Sequence, residues 1–286
     1  MANQRVSDKA NQQMDEPNIE HPPSIFIPTN GIRLHVIRTG GQKPPLIALH
    51  GRTGSGLLWT RTARLLKPYF DVIMPDLRGH GQSEAPTDGY DHDTMSRDIL
   101  DVMDALGVKR AVLMDGSMGA ALAPRIAAQH PDRVEKLVLH LSCWTSTAQL
   151  SPDYLENKIA RKRAQYRAWN ATPLPDLVAQ VRVFSSGWTD EDIALAAQAW
   201  HQVHENAAQT FGHDLSEAEW HAPVKQVSCP ILALMGHAET NYAATRDFCE
   251  NELPVCTFAP LKGGHTAMFE DFENYVYHLQ TFLDIV

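Results

Sequence analysis

Cysteine is scarce in this 286-residue sequence: four residues, at 143, 229, 249 and 256, with no CxxC pair among them. That spacing argues against a disulfide scaffold and against a thiolate zinc site, and a reducing cytoplasm is the compartment it predicts. Positive charge is also short. Lysine and arginine number 25 against 34 acidic residues, a formal charge of −9, so no nucleic-acid partner is expected, since such sites are basic. The densest basic run, "KIARKR" at 158–163, falls inside a helical pattern rather than a tail. Long apolar runs are missing as well. None approaches the roughly 20 residues of a bilayer span, so no membrane partner is expected. The first 23 residues are polar and lack the apolar stretch of a secretory signal. No internal repeat and no low-complexity tract breaks the rest.

What is present is an ordinary globular composition, 43% apolar and 21% charged. The length suits one large domain, or a domain with an insertion. "SIFIPTNGIRLHVIRTG" (24–40) reads as a hairpin around "TNG". Strands are then expected in "PPLIALHG" (44–51), in "FDVIMP" (70–75), before Ser117 in "KRAVLMDGS", and in "VEKLVLHLSCW" (134–144). Helices fall between them; "TMSRDILDVMDALGV" (94–108) gathers Ile99, Val102, Met103 and Leu106 on one face. Such alternation predicts an α/β class, a mostly parallel, doubly wound sheet. From 146 to 223 the rhythm changes to consecutive helices with no strand between them. It returns with "CPILALMG" (229–236), "VCTFAP" (255–260) and a last helix. The expected organisation is a polar arm at 1–23, a core at 24–145 and 224–286, and a helical cap at 146–223.

Open parallel sheets bind ligands beyond the carboxyl ends of their strands. Four such ends carry chemistry: His50-Gly51 followed by "RTGSG", Ser117 in "DGSMG", "GHAE" (236–239) and "GGH" (263–265). A serine hydroxyl needs a base to become a nucleophile, and the base needs a carboxylate to orient it. Ser117, Glu239 and His265 supply these three in that chain order. The N–H groups of Met118 and Arg52 are the expected oxyanion hole. Gripping a substrate carboxylate with its guanidinium is the second reading of Arg52.

Five stretches in order, "LHGRTGSG", "PDLRGHGQSEAP", "DGSMGA", "CPILALMGHAE" and "GGHTAMFED", make the chain resemble the cap-bearing serine hydrolases of the α/β-hydrolase fold family. The resemblance spans about 24–145 and 224–286. It implies Ser117 as nucleophile, His265 as base, Glu239 as acid, and no metal or organic cofactor. Two positions depart from the family pattern. The acid is glutamate where aspartate is more usual, and Asp115 replaces a small residue two before the nucleophile. A carboxylate at 115 is expected to accept N–H bonds at a helix start and to raise the pKa of the base through its charge.

Other residues have plainer readings. His50 orders the oxyanion loop, and Asp76 pairs with Arg78. His201 and His204, at i and i+3, are solvated surface rather than metal ligands. The cysteines are small buried hydrophobes. Trp144, Tyr154, Trp169, Trp188 and Trp200 are the candidate substrate-binding residues, with Trp220 nearby. The expected activity is hydrolysis of a carboxylic ester of an uncharged or weakly polar acyl compound. Lactonase, amidase, perhydrolase and carbon–carbon hydrolase readings stand as alternatives. A serine at the elbow disfavours the epoxide hydrolases and haloalkane dehalogenases, which use aspartate there. A non-catalytic ligand receptor is the competing class. A homodimer is left open.

Overall fold

The computed structural model describes residues 23–140, the backbone of 144–145, and 150–285. The polar arm up to residue 22 and Cys143 lie outside the described residues. The first hairpin is present: β1 (Ser24–Pro28) pairs antiparallel with β2 (Arg33–Arg38). β3 (Pro45–Leu49), α1 (Thr60–Leu66), β4 (Asp71–Pro75), α2 (His92–Ala105), β5 (Ala111–Asp115), α3 (Gly119–Gln129) and β6 (Val134–His140) follow in the expected alternation. β7 (Trp144–Thr145) leads into the helical segment. That segment holds α4 (Pro152–Ala171), α5 (Leu174–Arg182), α6 (Asp190–Gln202), a 3-10 helix (Glu205–His213), β8 (Leu215–Ser216) and α7 (Glu217–Val224). β9 (Ile231–Gly236), α8 (Tyr242–Glu252), β10 (Cys256–Leu261), α9 (Ala267–Glu270) and α10 (Phe272–Leu283) complete the chain.

Eight strands form one sheet in the order β1-β2-β4-β3-β5-β6-β9-β10, parallel from β4 onward. Side chains of a strand alternate between faces, and here both faces are covered. Ile47, Leu49 and Leu113 join a core with Ile99, Met103, Leu122 and Ile126. Leu46, Ala48 and Met114 join the opposite core with Trp59, Leu66, Tyr275 and Leu279. A third core belongs to the helical segment, built on Tyr166, Trp169, Leu177, Val181, Ile193 and Phe211. The fold is therefore an α/β, doubly wound sheet with a helical insertion.

The expectation of helices alone at 146–223 needs correcting. β8 is a two-residue strand that pairs in parallel with β7, Trp144 opposite Leu215 and Thr145 opposite Ser216. It is too short to show any periodicity. The stretch "TDEDIALAAQAWHQVHENAAQTF" is not one helix: α6 ends at Gln202, Val203 is extended, and a 3-10 helix follows at Glu205. Among the described residues no helix is long and apolar enough to cross a membrane.

Candidate active site

β3, β5, β9 and β10 run the same way, so their carboxyl ends share one edge. At β5 the chain turns sharply into α3. Ser117 sits in that turn with φ of 54°, left-handed backbone that costs energy for a residue with a Cβ. Hydrogen bonds hold it there. Gly116 N–H donates to Leu49 O at 2.9 Å, Ser117 N–H to His140 O at 3.2 Å, and Ala120 N–H to Ser117 O at 2.9 Å. The closeness of helix and strand rests on Gly119. A Cβ there would lie 2.8 Å from Leu49 O and 2.9 Å from Asp115 Cβ. Gly116 contributes no such relief, since a Cβ there would meet only the Trp59 ring at 3.6 Å.

The loops after β9 and β10 are clipped together. His237 N–H donates to Leu261 O and Ala238 N–H to Gly263 O, at 3.0 and 2.9 Å. The clip sets Glu239 beside His265. His265 Nδ1 lies 3.1 Å from Glu239 Oε1, and His265 Nε2 lies 3.1 Å from Ser117 Oγ. With the carboxylate accepting, Nδ1 carries the proton and Nε2 is free to accept from the serine hydroxyl. Glu239 is largely buried and the His265 ring is half-exposed.

The loop after β3 closes the other side. Gly51 packs so tightly that a Cβ on it would lie 3.1 Å from Ser117 Cβ. His50 fixes this loop: its Nδ1 donates to Gly51 O at 2.7 Å and its Nε2 accepts the Leu77 N–H at 2.9 Å. Burial, then the neighbouring His80, pushes its pKa down to about 3, so it is a neutral strut. The carbonyl of Arg52 faces His80 Nε2 and accepts from Tyr166 Oη, at 2.9 and 3.1 Å. Met118, which follows Ser117 and caps the start of α3, has helical backbone and a buried side chain.

Asp115 behaves differently from the expectation. It is fully buried, and its Oδ1 accepts the N–H of His140 on β6 at 3.2 Å, not a helix start. Its Oδ2 has no partner among the described residues, and burial raises its pKa well above the ordinary aspartate value. Burial thus favours its neutral form, which offers no negative charge to His265. The expected Asp76–Arg78 pair is absent too. Arg78 forks onto Asp98 of α2 at 2.7 and 2.8 Å. Asp76 instead binds His35 Nδ1 and the N–H groups of Gly56 and Gln82, at 2.7–2.9 Å.

A cavity of about 410 Å³ opens over Ser117. Trp188 and Trp200 line it, as do Arg52, Trp59, His140, Phe184, Phe211 and Phe269. Trp169 stands one ring behind the wall, stacked on Trp200 at 4.2 Å in the core of the helical segment. Tyr154 lies beneath Lys158, whose Nζ is 5.4 Å from its ring centroid. The Trp144 side chain lies outside the described residues, and Trp220 is buried, its Nε1 donating to Ala120 O at 2.9 Å. Phe184, Phe211 and Phe269 escaped the sequence reading because an apolar ring facing a cavity carries the same pattern as one facing a core. His201 and His204 are exposed, and His204 Nδ1 accepts from Asn206 N–H at 3.1 Å as a helix cap. No group of three His, Cys, Asp or Glu among the described residues could hold a metal ion. Cys229 and Cys249 are buried and Cys256 half-buried, all three unbridged.

A family model for the alpha/beta hydrolase fold matches residues 44–221. The chain belongs to the α/β-hydrolase fold family. Within it, N-formylmaleamate deformylase of Pseudomonas putida is 30% identical over 267 residues, covering 90% of this chain and 95% of the relative. Soluble epoxide hydrolase of a Corynebacterium species is 36% identical over 110 residues, 38% of each chain. Among solved α/β-hydrolase structures, the enol-lactonase of Burkholderia xenovorans superposes with a TM-score of 0.74 at 21% identity, covering 91% of this chain and all of its own. That likeness is one of fold.

Proposed function

We propose that this chain is a serine hydrolase that cleaves a carboxylic ester through an acyl-enzyme. The observation that carries the reading is the continuous chain from Ser117 Oγ through His265 to Glu239, with both links at 3.1 Å. In the first half-reaction Ser117 Oγ bonds to the substrate carbonyl carbon while its proton passes to His265 Nε2. Glu239 holds the resulting imidazolium. Negative charge gathers on the carbonyl oxygen, toward the N–H groups of Met118 and Arg52. Collapse breaks the bond to the leaving alcohol, which takes the proton from His265. Water, losing a proton to the same nitrogen, then attacks the acyl carbon and releases the acid and Ser117. The half-exposed His265 ring leaves that water a path. The pairs on Ser117 and His265 need no metal or organic cofactor in this scheme, and the substrate partner is a small molecule.

A second reading has a specific observation behind it. The relative that matches along nearly the whole chain is named a deformylase of N-formylmaleamate, an N-acyl compound. The same groups cut an amide when His265 protonates a departing nitrogen. Lactone opening uses them equally, with the leaving alcohol kept on the acyl chain.

Intact mass after a fluorophosphonate probe tests the proposal. One adduct is expected on the parent and none on Ser117→Ala. Glu239→Gln should label at least about tenfold more slowly, since a neutral amide no longer stabilises the imidazolium. A folded parent that takes no adduct would overturn the reading in favour of a ligand receptor. Once labelling is seen, matched ester, lactone and amide substrates decide among the leaving groups.

A further inference from the structure

Two residues of the cavity wall, Arg52 and Phe211, belong to a cationic cluster whose charge is unbalanced. Three cations converge on the ring of Phe211. The Arg52 guanidinium carbon is 4.6 Å from its centroid, Lys158 Nζ 5.3 Å and Lys162 Nζ 5.2 Å. Among the described residues one carboxylate pairs with them. Asp214 Oδ1 pairs with Arg52 at 2.5 Å, and its Oδ2 with Lys158. Lys162 Nζ donates to Gln165 Oε1, a neutral acceptor, at 2.9 Å. Three positive charges against one negative leave two in excess. None of this is loose surface. Arg52 and Lys158 side chains are 17% and 18% exposed. Arg52 Nε is buried with no partner among the described residues. Burial and the neighbouring Lys158, Arg161 and Arg52 depress the pKa of Lys162.

Gathering like charges out of water is costly unless a counter-charge completes them. The cluster is not part of a general excess of positive charge, because acidic residues outnumber basic ones in the whole chain, 34 to 25. No acidic residue lines the cavity among the described residues, whereas Arg52 and Phe211 both do. Asp214 already shows the cluster accepting a carboxylate. We propose that Arg52 and Phe211 in the cavity wall, with Lys158 and Lys162 packed on the Phe211 ring, form an anion subsite, and that the compound cleaved at Ser117 carries a carboxylate on its acyl chain. The placement also sets a length. Arg52 follows Gly51, which packs on Ser117, so the subsite lies one arginine side chain from the reacting carbonyl. That separation suits a short dicarboxylic acid joined at one end in an ester or amide. It also replaces the uncharged acyl compound expected from sequence. The substrate half of the proposal rests on the serine-hydrolase reading; the subsite itself does not.

The test compares the p-nitrophenyl monoester of glutaric acid with neutral p-nitrophenyl pentanoate. The parent should favour the anionic ester by about tenfold or more in kcat/KM, the range of one charge-assisted contact. Added salt should shrink that preference, and Lys162→Gln and Lys158→Gln should each lower it several-fold, through KM. Equal turnover of both esters, or a preference unmoved by salt and by both variants, would overturn the subsite. Calorimetry with glutarate reads the subsite without chemistry: binding that weakens about tenfold in Lys162→Gln supports it, and no binding to the parent sinks it. The fluorophosphonate adduct separates the two claims. An adduct at Ser117 with no charge preference removes the subsite alone. Glutarate binding without an adduct removes the hydrolase reading alone.

Discussion

Asp115 and His140 share a small buried system directly beneath the nucleophile. The Asp115 carbonyl accepts from His140 Nδ1, its carboxyl accepts the His140 N–H, and the His140 carbonyl accepts the Ser117 N–H. A carbonyl only accepts, so His140 Nδ1 carries a proton, and burial, which pushes its pKa down to about 4, favours the neutral ring. Asp115 is displaced the other way, and that sets its effect on stability. A folded pKa raised above 3.8 means the native protein binds a proton the unfolded chain has lost. Asp115 therefore costs stability increasingly as pH rises above 3.8, by up to about 1.4 kcal/mol per pH unit until its folded pKa is passed. Asp115→Asn keeps the shape and removes the proton. Urea unfolding should find the variant more stable than the parent at pH 7, with a gap that narrows toward pH 4. Its pH–rate profile should match the parent's, because a neutral carboxyl exerts no charge on His265. A shifted profile would show that Asp115 is ionised after all.

At the scale of elements, the junction of β5 with α3 decides whether Ser117 can be held in left-handed backbone. Gly119→Ala tests it. The new methyl would press on Leu49 O at 2.8 Å and Asp115 Cβ at 2.9 Å, and overpacking of this kind costs about 1–3 kcal/mol. The helix start must move, and Ser117 with it, so kcat should fall more than thermal stability implies. A variant destabilised but fully active would place the constraint elsewhere. The junction was legible in sequence because a strand, a turn serine and a small-residue helix each leave a local signature. Glu239 and His265 were legible because they end strands that the apolar runs at 231–236 and 256–261 announce. What stayed hidden is what distance in sequence conceals. Arg78 finds Asp98 across 20 residues, and Arg52 finds Asp214 across far more. The two-residue pairing of β7 with β8 has no pattern of its own. The same blindness covers the basic run at 158–163. It reads only as charge within a helical pattern, and the packing of α4 on the 3-10 helix brings Lys158 and Lys162 onto Phe211.

For the molecule as a whole, buried histidines set the acid limit. His50 and His140 have pKa values lowered to about 3 and about 4, chiefly by burial, from an ordinary 6.5. A depressed base is neutral in the native state while the unfolded chain takes up its proton. The stability each confers is complete above pH 6.5 and is lost as pH falls through the window toward 4. Each contributes a slope of about 1.4 kcal/mol per pH unit there. Both struts bear on the site: His50 holds the loop of Arg52, and His140 lies under Ser117 and against Trp59. In the same window Asp115 works in the opposite sense, so the parent should show a shallower acid loss than its buried histidines alone would give. Urea unfolding of Asp115→Asn between pH 7 and 5 strips out that opposition. The variant should lose stability more steeply than the parent over the interval, since His50, His80, His92 and His140 are all neutral in the fold and take up a proton on unfolding. Equal slopes in parent and variant would mean that Asp115 ionises at its ordinary pH. A flat variant would mean that the imidazoles are reached by water before the fold opens, and that acid inactivation arises at the site rather than beneath it.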